Sequence, residues 1–113
     1  MLNYNTETQT ISMIAKDTGE FIISIDNYLL AEGDTVYFTV NTGLELENPL
    51  ISKEIKIFTN NKAVVKLTSK DTNLKVGTYY YDVQVNTADG RVDTVLGPSK
   101  FKIMGGVKYW VLK

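Results

Sequence analysis

Histidine and cysteine carry much of the proton transfer, nucleophilic attack and metal ligation that proteins perform near neutral pH, and this 113-residue chain has neither. Their absence excludes His-centred triads, His-based zinc sites, the H-E-x-x-H helix, thiolate metal centres and disulfides. Carboxylates, lysines, hydroxyls and seven tyrosines remain. Paired carboxylates can hydrolyse glycosides when their separation suits. Glu45 and Glu47, however, stand in a loop flanked by Gly43 and Pro49, and a two-residue hairpin would set Asp93 opposite Asn86 on an outward face. All three read as solvated charge. No Gly-rich segment has the G-x-x-x-x-G-K-[ST] spacing that cradles phosphate. Asp71-Thr72-Asn73 and Asp89-Gly90 offer oxygens but too few acids for calcium, and read as turns whose short side chains bond the local backbone. The expectation is a protein that is not an enzyme, with no catalytic, cofactor-binding or metal-binding residues.

Tyrosine is the one enriched chemistry, and three are consecutive at Tyr79-Tyr80-Tyr81. In an extended chain Tyr80 points away from its two neighbours, so Tyr80 and Tyr37 form a candidate exposed aromatic patch for protein or sugar contact. The competing reading is that tyrosine is simply a good strand residue. A second aromatic group, Tyr109, Trp110 and Leu112, follows Gly105-Gly106, which reads as a hinge. Val107 to Lys113 carries apolar side chains on both faces of an extended strand, so it requires cover on two sides. It reads either as an extra strand of the same domain or as a segment that docks on a neighbouring subunit, with Tyr109, Trp110 and Leu112 as the contact residues.

The elements that would hold these residues are strands, because hydrophobic residues recur at every second position. Val36, Phe38 and Val40 share one face, with Thr35, Tyr37 and Thr39 on the other. Ile11, Met13 and Ala15 form an inward set. Phe21, Ile23 and Ile25 form another after the Asp17-Thr18-Gly19 turn, and the two read as a hairpin. Ile51, Ile55 and Ile57 share a face, and Asn60-Asn61 turns the chain into an inward Ala63, Val65 and Leu67. Tyr79, Tyr81, Val83 and Val85 alternate inward before the Asp89-Gly90 turn, and a returning strand starts with Val92, Thr94 and Leu96. Gly97-Pro98 interrupts it as a bulge or an edge, and Phe101 and Ile103 resume it. Ser69 to Leu74 is too short and polar for a packed helix and reads as a connecting turn. About seven strands at this spacing predict an all-β antiparallel sandwich over residues 1–104, with 105–113 as a tail segment.

Composition agrees with one globular domain: 43% hydrophobic residues, 22% charged and a net charge of -1 leave no strong field for nucleic acid or an anionic membrane. No basic stretch followed by an apolar run opens the sequence, and no run approaches the roughly 20 apolar residues of a membrane span.

Leu74-Lys75-Val76-Gly77-Thr78-Tyr79, continuing through Val85, then Asp89-Gly90, Thr94 to Gly97 and Phe101 to Ile103, resembles the closing strands of immunoglobulin-like domains in tail and baseplate proteins of phages and prophages of Gram-positive bacteria. The N-terminal domain of baseplate upper proteins is among these. Gly33 to Val40 is similar to the opening turn and strand of such domains. In the Leu-x-x-Gly-x-Tyr stretch, leucine would plug the sandwich end, glycine make the turn, and the tyrosine hydroxyl bond back to the corner backbone. The tryptophan and cysteine pair of antibody domains are missing.

The resemblance implies an immunoglobulin-like sandwich serving as a non-enzymatic structural part of a virion. Such a part would be made in the bacterial cytoplasm without a signal peptide, and would act as a homo-oligomer against other tail proteins. The alternatives are a carbohydrate- or surface-binding sandwich using Tyr37 and Tyr80, and a small inhibitor of a host protein. No cofactor or small-molecule ligand is expected.

Overall fold

The computed structural model describes residues 2–26, 29–44 and 47–106. Eight strands follow in order: β1 (Leu2–Tyr4), β2 (Ile11–Ile14), β3 (Gly19–Ser24), β4 (Thr35–Asn41), β5 (Ile51–Ile55), β6 (Lys62–Leu67), β7 (Gly77–Asn86) and β8 (Val92–Met104). No helix occurs among the described residues. Six strands form a mixed sheet in the order β1-β2-β8-β7-β4-β5, and β3 pairs with β6 in a two-stranded ribbon. All pairings are antiparallel except β2 with β8, which run parallel from Ile11 opposite Phe101 to Ile14 opposite Met104, so the large sheet is mixed and not purely antiparallel as the alternation suggested.

Alternation explains the two layers. Val36, Phe38 and Val40 on β4, Tyr79, Tyr81, Val83 and Val85 on β7, and Phe101 and Ile103 on β8 are buried. They face Ile23 of β3 and Ala63, Val65 and Leu67 of β6 across one interior. Phe38 is fully enclosed, with ring centroids 5.2 Å from Phe21, 5.6 Å from Tyr81 and 6.3 Å from Phe101. The two-residue rhythm thus produces an all-β sandwich-like fold.

The pairing of neighbouring strands departs from expectation in three places. Segments β2 and β3 do not form a hairpin: β2 joins the large sheet and β3 the ribbon. The corner between them carries the chain from one layer to the other, with Lys16 at a φ of 72°. The Asp17 carbonyl is held there by the buried Thr72 hydroxyl, which donates to it at 2.6 Å. A Cβ on Gly19 would lie 2.6 Å from Met13 Cε, so the two layers meet closely at this point. The two inward sets bury each other face to face instead of side by side.

Ile57 is 86% exposed, because β5 ends at Ile55, opposite Val36, and β4 begins only one residue earlier at Thr35. The β7–β8 turn also differs: only Gly90, not Asp89, takes a positive φ (99°), and Thr87 N–H donates to the Arg91 carbonyl at 2.8 Å. The resulting longer loop shifts the register, setting Asn86 opposite Val92 and Asp93 opposite Val85.

Other turns follow the sequence. Asn60 and Asn61 both adopt positive φ (53° and 62°), the conformation of a tight two-residue turn, and Thr59 and Lys62 exchange both backbone hydrogen bonds across it. The interruption at Gly97-Pro98 is a bulge: Tyr81 pairs with Ser99 and Val83 with Leu96, so Asp82 faces two residues of β8.

Candidate binding surface

The outward face of the large sheet is built from the residues between the buried ones: Tyr37, Thr39 and Asn41 on β4, Tyr80, Asp82 and Gln84 on β7, and Lys100 and Lys102 on β8. Tyr37 lies opposite Gln84 and Tyr80 opposite Asn41. Both candidate tyrosines are half-buried on this face. They do not touch: four residues of strand separate their rows, about 13 Å at the usual rise. Asp82 and Thr39 occupy the row between them.

Tyr80 is the more committed of the two. A polar cleft of about 780 Å³ and a neighbouring one of about 510 Å³ meet at Tyr80, Leu44 and Pro98, and Tyr37 lines neither. One wall of the larger cleft is the loop between β1 and β2, which folds over the sheet. The Asn5 side chain caps that loop by accepting from Glu7 N–H at 2.9 Å and Thr8 N–H at 3.1 Å. The Tyr81 hydroxyl donates to the Gln9 carbonyl at 2.5 Å, and the Ser99 hydroxyl donates to Gln9 Oε1 at 3.0 Å. Burial pushes the Tyr81 phenol well above its ordinary range, with the nearby Tyr4 hydroxyl acting in the same direction.

Asp82 sits on the wall of the smaller cleft, on a strand with neighbours on both sides. Its carboxyl is held above its ordinary value by burial alone. No hydrogen bond or ion pair reaches it among the described residues. Sequence alternation had already placed Asp82 outward. The missed signal was a charge amid tyrosines on a strand long enough to be central, where a carboxylate is unfavourable without a partner.

Three other carboxylates, those of Asp71, Asp89 and Asp34, are engaged structurally. Asp71 Oδ2 accepts from Thr68 N–H at 2.8 Å and from Lys53 Nζ at 2.7 Å, while Asp71 N–H donates to Thr68 Oγ1 at 3.1 Å. Burial alone would raise the Asp71 carboxyl, but Lys53 and the bonds from Thr68 outweigh it and hold it below the ordinary value. Asp89 Oδ1 accepts from the Thr87 hydroxyl within its turn. Asp34, 6% exposed, accepts from Ala31 N–H at 2.9 Å and Ala88 N–H at 3.0 Å, tying two loops together. Asp93 is exposed, 3.5 Å from Arg91 Nε. Glu47 is described and exposed, whereas Glu45 lies outside the described residues. No group of three or more acidic side chains is arranged to hold a metal among the described residues.

The corner before β7 carries the Leu74, Gly77 and Tyr79 triple. The Tyr79 hydroxyl donates to the Lys75 carbonyl at 2.7 Å, and Leu74 packs against the core from the sandwich end. Gly77 makes no turn of its own: its φ is not in the left-handed region, and a side chain there would meet open space. The preceding turn is instead formed by Thr68, Asp71 and Thr72. Tyr109, Trp110 and Leu112, the proposed contact residues, lie outside the described residues.

No protein-family model matches the chain, and no curated protein matches it.

Proposed function

We propose that the chain is an immunoglobulin-like, non-enzymatic assembly module of a phage or prophage tail or baseplate, working through protein contacts. The observation that carries this reading is the Tyr79 hydroxyl bond to the Lys75 carbonyl, which stands in the stretch that resembles phage tail domains. In immunoglobulin-like sandwiches a tyrosine at this corner, bonded to backbone a few residues upstream, fixes the crossing between layers. The connectivity supports the same reading. The chain crosses from ribbon to large sheet between β3 and β4, returns between β5 and β6, and crosses again between β6 and β7. The aromatic residues Tyr109, Trp110 and Leu112 are the proposed subunit contact, and other tail proteins or further copies of the chain are the proposed partners.

The test is direct localisation. Particles released after prophage induction from the strain carrying the gene are purified and labelled with gold-conjugated antibody against this chain. Label at the tail or baseplate is expected, and particles without the chain would overturn the reading.

A second reading, a carbohydrate-binding sandwich, is favoured by the two clefts that meet at Tyr80 beside the unpartnered Asp82. An aromatic face beside polar groups suits a sugar ring. Glycan binding lost in Tyr80→Ala with the fold intact would support it, and no binding on a broad glycan array would exclude it.

A further inference from the structure

We infer that the free edge of β3 is a docking groove for residues 107–113 of a second copy of the chain, which adds there as a third strand of the ribbon. The inference rests on the assembly reading above and names the surface that the contact uses.

Among the described residues β3 pairs with β6 alone, so its other edge presents unpaired backbone groups. Apart from the exposed Glu20 near its start, that strand carries no charge, proline or bulge to blunt the edge. Below it an apolar cleft of about 330 Å³ opens between the layers, lined by Leu2, Phe21, Ile23, Val95 and Leu96. On the outer face of the ribbon, Ile22 (60% exposed) pairs with Val64 (40% exposed), forming an apolar strip beside the same edge. A strand added to β3 would therefore meet the apolar cleft on its inner face and Ile22, set between Glu20 and Ser24, on its outer face.

Such a position suits a strand that is apolar on both sides, and residues 107–113 have that pattern. Tyr109 and Val111 alternate with Trp110 and Leu112. Seven extended residues reach about 23 Å, enough to line the six residues of β3. Main-chain bonds to the edge would supply register, and the two apolar faces most of the affinity.

The geometry of the chain favours a second copy over its own segment. Gly106 lies beside Ile14, where a Cβ would be 3.1 Å from Ile14 Cγ2. Ile14 follows the inward Met13 and so faces outward from the large sheet, as does its partner Met104, 42% exposed. The described chain thus reaches residue 106 on the outer side of one layer, whereas the groove opens between the layers. The chain's own segment would have to double back over the corner at 15–18; a segment from a neighbour meets no such detour.

The full chain tests this, because Trp110 is its only tryptophan and reports its own surroundings. Sedimentation over a range of concentrations, read beside tryptophan emission, should show self-association with a blue-shifted spectrum. Ile22→Asp should weaken association about tenfold or more and return the emission to that of solvated indole, with an unchanged circular-dichroism spectrum. Val64→Lys, on the partner strand, gives the same readout should Ile22→Asp lower the folded fraction. Leu50→Asp, 44% exposed and placed before β5 at the edge of the large sheet, lines neither the cleft nor the strip and should change neither.

A monomer at all concentrations overturns the inference, whether its tryptophan is solvated or buried; the buried case means that the segment packs on its own domain. Association that survives both ribbon variants overturns it as well. These outcomes concern the purified chain alone, so they are distinct from failure of the virion reading, which shows as absence from particles.

Discussion

Asp82 and Tyr81 are adjacent on β7, and burial acts on both with consequences that pH can separate. For Asp82 burial in the folded chain raises the carboxyl above its unfolded value, with no partner among the described residues. As pH rises through the unfolded carboxylate value of about 4, the unfolded state ionises first and gains, so the folded state loses stability on the neutral side. Asp82→Asn should therefore raise the melting temperature at pH 7, with the gain disappearing below about pH 4. Thermal melts across that interval check it. A residue whose removal stabilises the fold fits a surface kept for contact. Tyr81 behaves in the opposite range. Its raised phenol leaves stability intact below the unfolded tyrosine value of about 10 and removes it as pH climbs higher. Alkaline denaturation should thus be less steep in Tyr81→Phe. At neutral pH the same change leaves the Gln9 carbonyl without its donor, costing about 0.5–1.5 kcal/mol in urea unfolding.

Whether an element could be read from the sequence depended on whether its information was local. The alternation on β4, β6 and β7 is local, and every residue assigned inward from those strands is buried. Asn60-Asn61 turned as its residue types require. Partnership is not local: nothing between Ile14 and Gly19 says that the chain changes layers, because what fixes the corner is Thr72, 55 positions beyond Asp17. Strand β1 has only three residues, too few for a period to register, and Ile57 has the right spacing but no strand beside it. The cleft around Tyr80 was hidden for the same reason, since Leu44, Pro98 and the β1–β2 loop come from distant segments. The bulge gives a prediction at this scale. Gly97 has a φ of 84°, and a Cβ there would lie 2.6 Å from the Tyr81 carbonyl oxygen. Backbone cannot yield as a flexible side chain does, so Gly97→Ala combines left-handed strain with a main-chain clash. A loss of about 2 kcal/mol or more is expected in urea unfolding, with Gly90→Ala, at an equally positive φ where a Cβ meets nothing, as the comparison that carries strain without the clash.

At the scale of the molecule, the two layers share one interior and should unfold as one unit. Phe38 contacts rings from β3, β7 and β8, so it belongs to both sheets at once. Phe38→Ala should cost about 3–5 kcal/mol, against a total of about 5–15 for a domain of this size, and Phe38→Leu should cost less. Near-ultraviolet signals from the core tyrosines and far-ultraviolet signals from the strands should move together in both variants. Cooperativity within the domain also determines how assembly would appear in stability. A segment that docks only on a folded neighbour stabilises the native state by mass action, so the melting temperature of the full chain should rise with protein concentration. Removing residues 107–113 should abolish that dependence and leave the dilute-limit melting temperature unchanged, because among the described residues the buried core is complete between Ile11 and Ile103. Melts of both chains over a hundredfold concentration range measure this. A fall in the dilute limit on truncation would instead mean that the segment stabilises its own domain.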